Sequence, residues 1–123
     1  MRVLARNTAI LPAHFHSEKV DIVRGSISDT EALAAAMRDV PHVVNLAHGG
    51  GGDSWAAIRA ALVGGAEKVA EVARDAGVKK LAHVGSIAAL YLGDPDTTIR
   101  HDTPVDPLKE ERADYSRAKA EAD

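Results

Sequence analysis

Cysteine is absent from this 123-residue chain. Without a thiol there is no disulfide framework, no thiolate zinc site and no sulfur nucleophile. A reducing cytoplasm is the expected compartment. Aromatic residues are nearly absent too, with one Trp, one Phe and two Tyr. Ala and Val supply most of the apolar content, which suits close-packed helices on a sheet better than a large ligand-filled barrel. No apolar run approaches the roughly 18 residues that a membrane-spanning helix needs. The opening MRVLARN reads as a short strand, not as a signal peptide. The net charge of −3 is small, and no long basic block accompanies it. Nucleic acid and anionic membrane are thus not expected partners. By length, one domain is expected over residues 1–123.

What is present alternates short apolar runs with helical patterns. RVLA (Arg2 to Ala5) and VDIV (Val20 to Val23) read as strands, the second stopped by Gly25. Ser28 and Glu31 stand at capping-box spacing, so a helix is expected just after Ser28. Leu33, Ala36, Met37 and Val40 recur on its face, and Pro41 ends it. HVVNLA (His42 to Ala47) is apolar on nearly every residue, as expected of a strand covered on both faces. The longest helix is expected from about Ser54 to Ala76. Its stripe of Trp55, Ile58, Leu62, Gly65, Val69, Val72 and Ala76 has the three-four spacing of one buried face. Gly64 and Gly65 inside it each cost about 1 kcal/mol relative to Ala, and close approach to a sheet is the expected reason. KLAHVGS (Lys80 to Ser86) is a fourth strand. A Pro- and Asp-rich loop follows from about Leu92 to Glu111. A last helix is expected near Ala113, with Asp114 at its positive end. This order predicts an α/β fold with parallel strands and right-handed crossovers.

Several stretches invite chemistry. The run Gly49 to Gly52 resembles a phosphate cradle, but it is neither G-x-G-x-x-G nor a Walker loop, and a flexible link into the long helix is the stronger reading. The six His residues show no H-E-x-x-H and no other ligand spacing, so no metal site is expected. HVGSIAA places Ser86 after a strand but does not form G-x-S-x-G. The end of the chain, DYSRAKAEAD, sets Tyr115 and Lys119 four residues apart. On a helix the two lie on one face, about 5–6 Å apart at Cβ. A nearby ammonium favours phenolate over phenol, whereas desolvation opposes both charged forms. Such a pair is suited to general acid/base work near neutral pH. The bland alternative is an amphipathic surface helix.

Taken in order, these segments resemble the short-chain dehydrogenase/reductase superfamily, on its extended side with NAD-dependent epimerases and dehydratases. RVLARN looks like the second Rossmann strand and the turn after it. VDIVRGSISDTEALAAAM looks like the third strand, the Gly-Asp-Leu-type turn and the next helix. HVVNLAHGG looks like the fourth strand and its cofactor-side loop. AEKVAEVARDAGVKKLAHVGSIAALY looks like the long helix and the fifth strand ending in the Ser motif. DYSRAKAEAD looks like the Tyr-x-x-x-Lys helix.

The resemblance implies a Rossmann-like parallel sheet with flanking helices that lacks the first strand and its glycine-rich turn. It implies a small-molecule substrate, a hydroxyl or carbonyl compound. Tyr115 would exchange a proton with the substrate, Lys119 would lower the Tyr pKa and hydrogen-bond the nicotinamide ribose, and Ser86 would hold the substrate oxygen. Ala47 and His48 would line the cofactor. Ser26 and Ile27 fall in the Gly-Asp-Leu-type turn of the cofactor site, with Ser26 where the family usually has Asp near the adenine. Arg6, at the tip of the second family strand, would meet a 2′-phosphate, which favours NADP over NAD. Leu62 stands where many members have Asn, and Gly85 where Ser is common. A missing central strand would leave unpaired edges, through which self-association is plausible. The motifs fit a fragment of a longer enzyme, inactive alone. The alternatives left open are a non-catalytic dinucleotide-binding module and an inactive remnant.

Overall fold

The computed structural model describes residues 1–47, 52–90, 96 and 98–123. The chain divides into two compact units, each built from two stretches: Met1–Ala47 with Lys68–Ala82, and His48–Glu67 with His83–Asp123.

In the first unit, β1 (Arg2–Ala5) and β2 (Asp21–Arg24) pair in parallel, with Arg2 opposite Asp21 and Ala5 opposite Arg24. The Arg2 side chain reinforces that register. Its Nε donates to the Asp21 carboxylate at 2.7 Å. Its Nη1 donates to the carbonyls of Ala35, Ala36 and Arg38 at the end of the next helix. A cation is favourable there, because a helix end presents orphan carbonyls. That helix, α1 (Thr30–Met37), begins one residue later than the spacing of Ser28 and Glu31 suggests. Asp29 is the cap: its carboxylate accepts the amides of Glu31 and Ala32, each at 3.0 Å. A carboxylate both caps and complements the positive helix end. Ser28 is instead engaged with Ser26 in the turn before it. The helix stops before Val40, at Met37, and Asp39 takes a positive φ of 58° just beyond it.

β3 (His42–Asn45) pairs with β4 (Lys80–His83) in a second two-stranded sheet. The amides of Lys79 and Lys80 both donate to the Pro41 carbonyl, tying the two strand starts together. Among the described residues, β1 and β3 do not pair, so each two-stranded sheet keeps open edges. β3 is also covered on one face only. Val43 packs against the core, whereas Val44 is 63% and Leu46 71% exposed. The expectation of a strand covered on both faces is thus corrected: its second apolar face has no covering element among the described residues.

α2 (Trp55–Asp75) runs through both units as a continuous helix. The Ser54 hydroxyl accepts the Ala57 amide at its start, and Gly77, at φ 72°, follows its end, the residue type that this conformation favours. Its C-terminal part supplies Val69, Val72 and Ala73 to the core of the first unit, with Leu33 and Met37 from α1. Leu4, Ile27, Val43 and Val78 pack around them. Its N-terminal part supplies Leu62 and Val63 to the core of the second unit, with Ala118. The expected stripe is largely right, but Ala76 is exposed. Gly64 is not a close-approach position, since a Cβ there would meet nothing within 4 Å.

Candidate functional site

The second unit gathers three of the sequence-derived site residues. Ser86 follows β4 and caps a 3-10 turn at Ile87–Ala89, its hydroxyl accepting the Ala88 amide at 3.2 Å. α3 (Asp114–Ala122) packs against this turn and against a second 3-10 turn at Lys109–Glu111. At its far end, a Cβ on Gly85 would lie 2.5 Å from the Asp123 carboxylate, so α3 runs beside the Gly85–Ala89 segment along its length. The helix carrying Tyr115 and Lys119 and the turn carrying Ser86 are therefore packed neighbours.

α3 buries Ala118, which has no exposed surface, against Leu62 and Val63 of α2. Around that apolar contact the charges pair off. Arg117 stacks over the Trp55 ring, 4.0 Å from its centroid. It also bonds Glu110 at 2.5 Å and Glu121 at 3.4 Å, and Arg59 reaches Glu121 at 2.9 Å. Burial alone would raise the Glu121 carboxyl pKa, but the two guanidiniums outweigh it and hold the value below its usual range.

Lys119 stands apart from this pairing. The residue is 5% exposed; its carbonyl accepts the Asp123 amide at 3.2 Å, and its side chain has no hydrogen bond or ion pair with a described residue. Tyr115, one turn earlier on the same face, is 49% exposed, and its hydroxyl is likewise without a described partner. Tyr115 and Lys119 thus stand one turn apart on α3, the first half-exposed and the second buried along most of its side chain.

Sequence reasoning missed Asp106, which is 5% exposed. Its Oδ2 accepts from Arg112 Nε at 2.6 Å and its Oδ1 from the Leu108 amide at 2.8 Å. Its own amide donates to the Ala89 carbonyl, beside the antiparallel bridge between Leu90 and Val105. The Arg112 hydrogen bond lowers the Asp106 pKa, helped by the Leu108 amide against the opposing effect of burial. A lone Asp in a polar, Pro-containing loop carries no periodic signal; only the V-D-P context of a turn hints at it.

The cofactor candidates in the first unit sit after carboxyl ends of strands. Arg6 directly follows β1, is exposed, and pairs with no described residue. Ser26 and Ile27 follow β2, and the Gly25 amide donates to the Ala5 carbonyl, which puts both turns at one end of the parallel pair. The Ser26 hydroxyl accepts from the Ser28 amide and hydroxyl. Ile27 packs against the core, so its backbone is what remains for a ligand. Ala47 follows β3, and its amide donates to Asn45 Oδ1 at 3.1 Å. His48 and Gly49 to Gly51 lie outside the described residues, and with them the His48 assignment and most of the candidate phosphate cradle.

With the parallel β1–β2 pair, the flanking helices and the strand-end turns in view, comparison with known proteins decides the family. A family model described as NAD(P)H-binding matches residues 1–123. The chain belongs to this NAD(P)H-binding family. The fold of this NAD(P)H-binding chain recurs in solved structures. The WbmG enzyme of Bordetella bronchiseptica, solved in complex with NAD and UDP, matches with TM-score 0.70 and 26% identity, covering 98% of this chain and 39% of that one. The dTDP-glucose 4,6-dehydratase of Streptomyces venezuelae, solved with NAD and DAU bound, matches with TM-score 0.77 and 23% identity, covering 98% and 39%. Uronate dehydrogenase from Agrobacterium tumefaciens matches with TM-score 0.73 and 18% identity, covering 98% and 42%. The chain thus spans about two-fifths of the length of these proteins. No curated protein sequence matches it. Among the described residues, no helix is long and apolar enough to cross a membrane.

Proposed function

We propose that this chain carries the proton-transfer half of an NAD(P)-dependent oxidoreductase, epimerase or dehydratase acting on a hydroxyl or carbonyl compound. One observation supports this most directly: the helix bearing half-exposed Tyr115 and, one turn on, Lys119 packs on the turn capped by Ser86. Each unit, taken by itself, offers a group suited to part of a dinucleotide. The Lys119 ammonium and the Arg6 guanidinium are cations with no described partner, as groups awaiting hydroxyl or phosphate oxygens would be. When bound, the nicotinamide supplies or accepts the hydride. Tyr115 Oη takes the proton from a substrate hydroxyl as the carbonyl forms, and returns it in the reverse direction. Lys119 holds the ribose. Ser86 orients the substrate oxygen, using the hydroxyl hydrogen that its bond to Ala88 leaves available. Arg6 favours NADP, since an unpaired guanidinium after a Rossmann-type strand suits a 2′-phosphate.

A second reading is a dinucleotide-binding role without turnover. It is favoured by the lack of G-x-x-G-x-x-G anywhere in these residues. Such a turn sets pyrophosphate on a helix N-terminus, so this chain alone should bind NADP weakly. The open edges of β1 and β3, with Val44 and Leu46 exposed, favour self-association in the isolated chain. NADPH fluorescence titration followed by a turnover assay separates the readings. Tyr115→Phe should leave cofactor binding in place and lower turnover by roughly 10²–10⁴-fold, the usual worth of a positioned acid or base. Unchanged turnover in that variant would refute the assignment, and binding with no turnover across hydroxyl and carbonyl substrates would favour the second reading.

A further inference from the structure

α3 begins without a cap of its own. Ala113 occupies the N-cap position and offers no side-chain acceptor, and the first intrahelical bond is Arg117 N–H to the Ala113 carbonyl at 3.0 Å. A helix of nine residues with an uncapped start should fray in water. Tyr115 sits in that first turn. What precedes it is Arg112, which closes the 3-10 turn at Lys109–Glu111 by donating its amide to the Lys109 carbonyl and reaches back to Asp106 through its side chain. Asp106 in turn is bonded at its amide to Ala89, three residues beyond Ser86, and at Oδ1 to Leu108.

We infer that Asp106 is a positioning residue for the proposed site: through Ala89 on one side and Arg112 on the other, it anchors the uncapped start of α3 beside the Ser86 turn. It stands in for the missing cap with a tertiary, charge-assisted bond. Its functional meaning rests on Tyr115 as the proton carrier. The anchoring itself does not, so the test reads helix order and not turnover.

Amide hydrogen exchange by NMR is measured on the full chain. Asp106→Asn keeps the shape and the acceptor for Leu108 but loses the charge that holds Arg112. Exchange at Arg117 and Ala118 should accelerate about tenfold or more, the scale of a lost hydrogen bond to a charged group. Exchange at Val69 and Val72 in the C-terminal part of α2 should stay as it was. Adding Ala113→Ser, a local cap, should restore slow exchange at Arg117 and Ala118 in the Asp106→Asn background. A role in general packing would not be rescued by a cap at the helix start. If Asp106→Asn accelerates exchange everywhere, Arg112→Gln, at a half-exposed position, replaces it with the same local pattern expected. Unchanged exchange at Arg117 and Ala118 in the variant read, or failure of Ala113→Ser to restore it, overturns the inference. Tyr115→Phe should leave this exchange pattern unaltered while it lowers turnover, so the anchoring and the proton-carrier assignment fail separately.

Discussion

The two units of this chain are held together in different ways. The first rests on apolar burial: Leu33 and Met37 from α1 close on Val69, Val72 and Ala73 of α2. The second has a smaller apolar contact, Leu62 and Val63 against Ala118, surrounded by ion pairs and anchored by a buried carboxylate. The first unit offers backbone turns at strand ends. The second offers side chains, Ser86, Tyr115 and Lys119, that suit chemistry. The difference teaches that burial sets the frame, whereas charged groups, which can be left unpaired, are available for function.

That contrast can be broken at its strongest point by Leu33→Ala. Leu33 is fully buried, so truncation should cost about 2–5 kcal/mol by transfer and cavity terms, read as a shift in the urea midpoint followed by circular dichroism. A cost under about 1 kcal/mol would show that the first unit does not depend on this core. Next comes Gly25→Ala. The new methyl would collide with the Ala32 Cβ of α1 and lie 3.1 Å from Leu4 Cδ1 of β1. Overpacking of this kind should cost about 1–3 kcal/mol in the same assay. Gly77→Ala should be milder, roughly 1–2 kcal/mol, because only the positive φ opposes it and the space is open.

Acid sharpens the contrast from the other side. The folded-state pKa of Asp106 is depressed, chiefly by the Arg112 hydrogen bond. Its contribution is therefore complete above the ordinary carboxylate value and is lost as pH falls through the depressed folded value. Glu121, held down by Arg59 and Arg117, adds in the same direction. NMR signals of α3 should broaden or shift at a higher pH than those of α1 as acid is added. Simultaneous loss of both helices would show that the two units share one acid response. The smallest effect is expected at Arg2→Ala. Its ion pair with Asp21 is solvent-screened, so removal should cost under about 1 kcal/mol even with the α1 carbonyl contacts, measured as a change in Tm.

Much of the frame was legible because periodicity reports burial. RVLA is β1 to the residue, and the three-four stripe of α2 was right at Leu62, Val69 and Val72. The α1 start was off by a residue, because Ser28 and Asp29 compete for one capping role and a carboxylate wins at a positive helix end. HVVNLA promised two covered faces, since an apolar strand records the surroundings it is suited to and not those it has. The Tyr-x-x-x-Lys spacing and the Ser after β4 marked candidate positions. The contacts between their segments run through Ala89, Val105, Asp106 and Arg112, which have no common spacing.

The sequence by itself determined where strands and helices form and which helix face turns inward, because local propensity and the burial of apolar side chains at a fixed period act within a few residues. Only the tertiary structure decided that the Lys119 side chain has no ion pair with a described residue, that Val44 and Leu46 are exposed, and that Asp106 meets Ala89 through its amide and Arg112 through its carboxylate. Those outcomes depend on which distant groups meet, and a charge has no period from which its partner can be read.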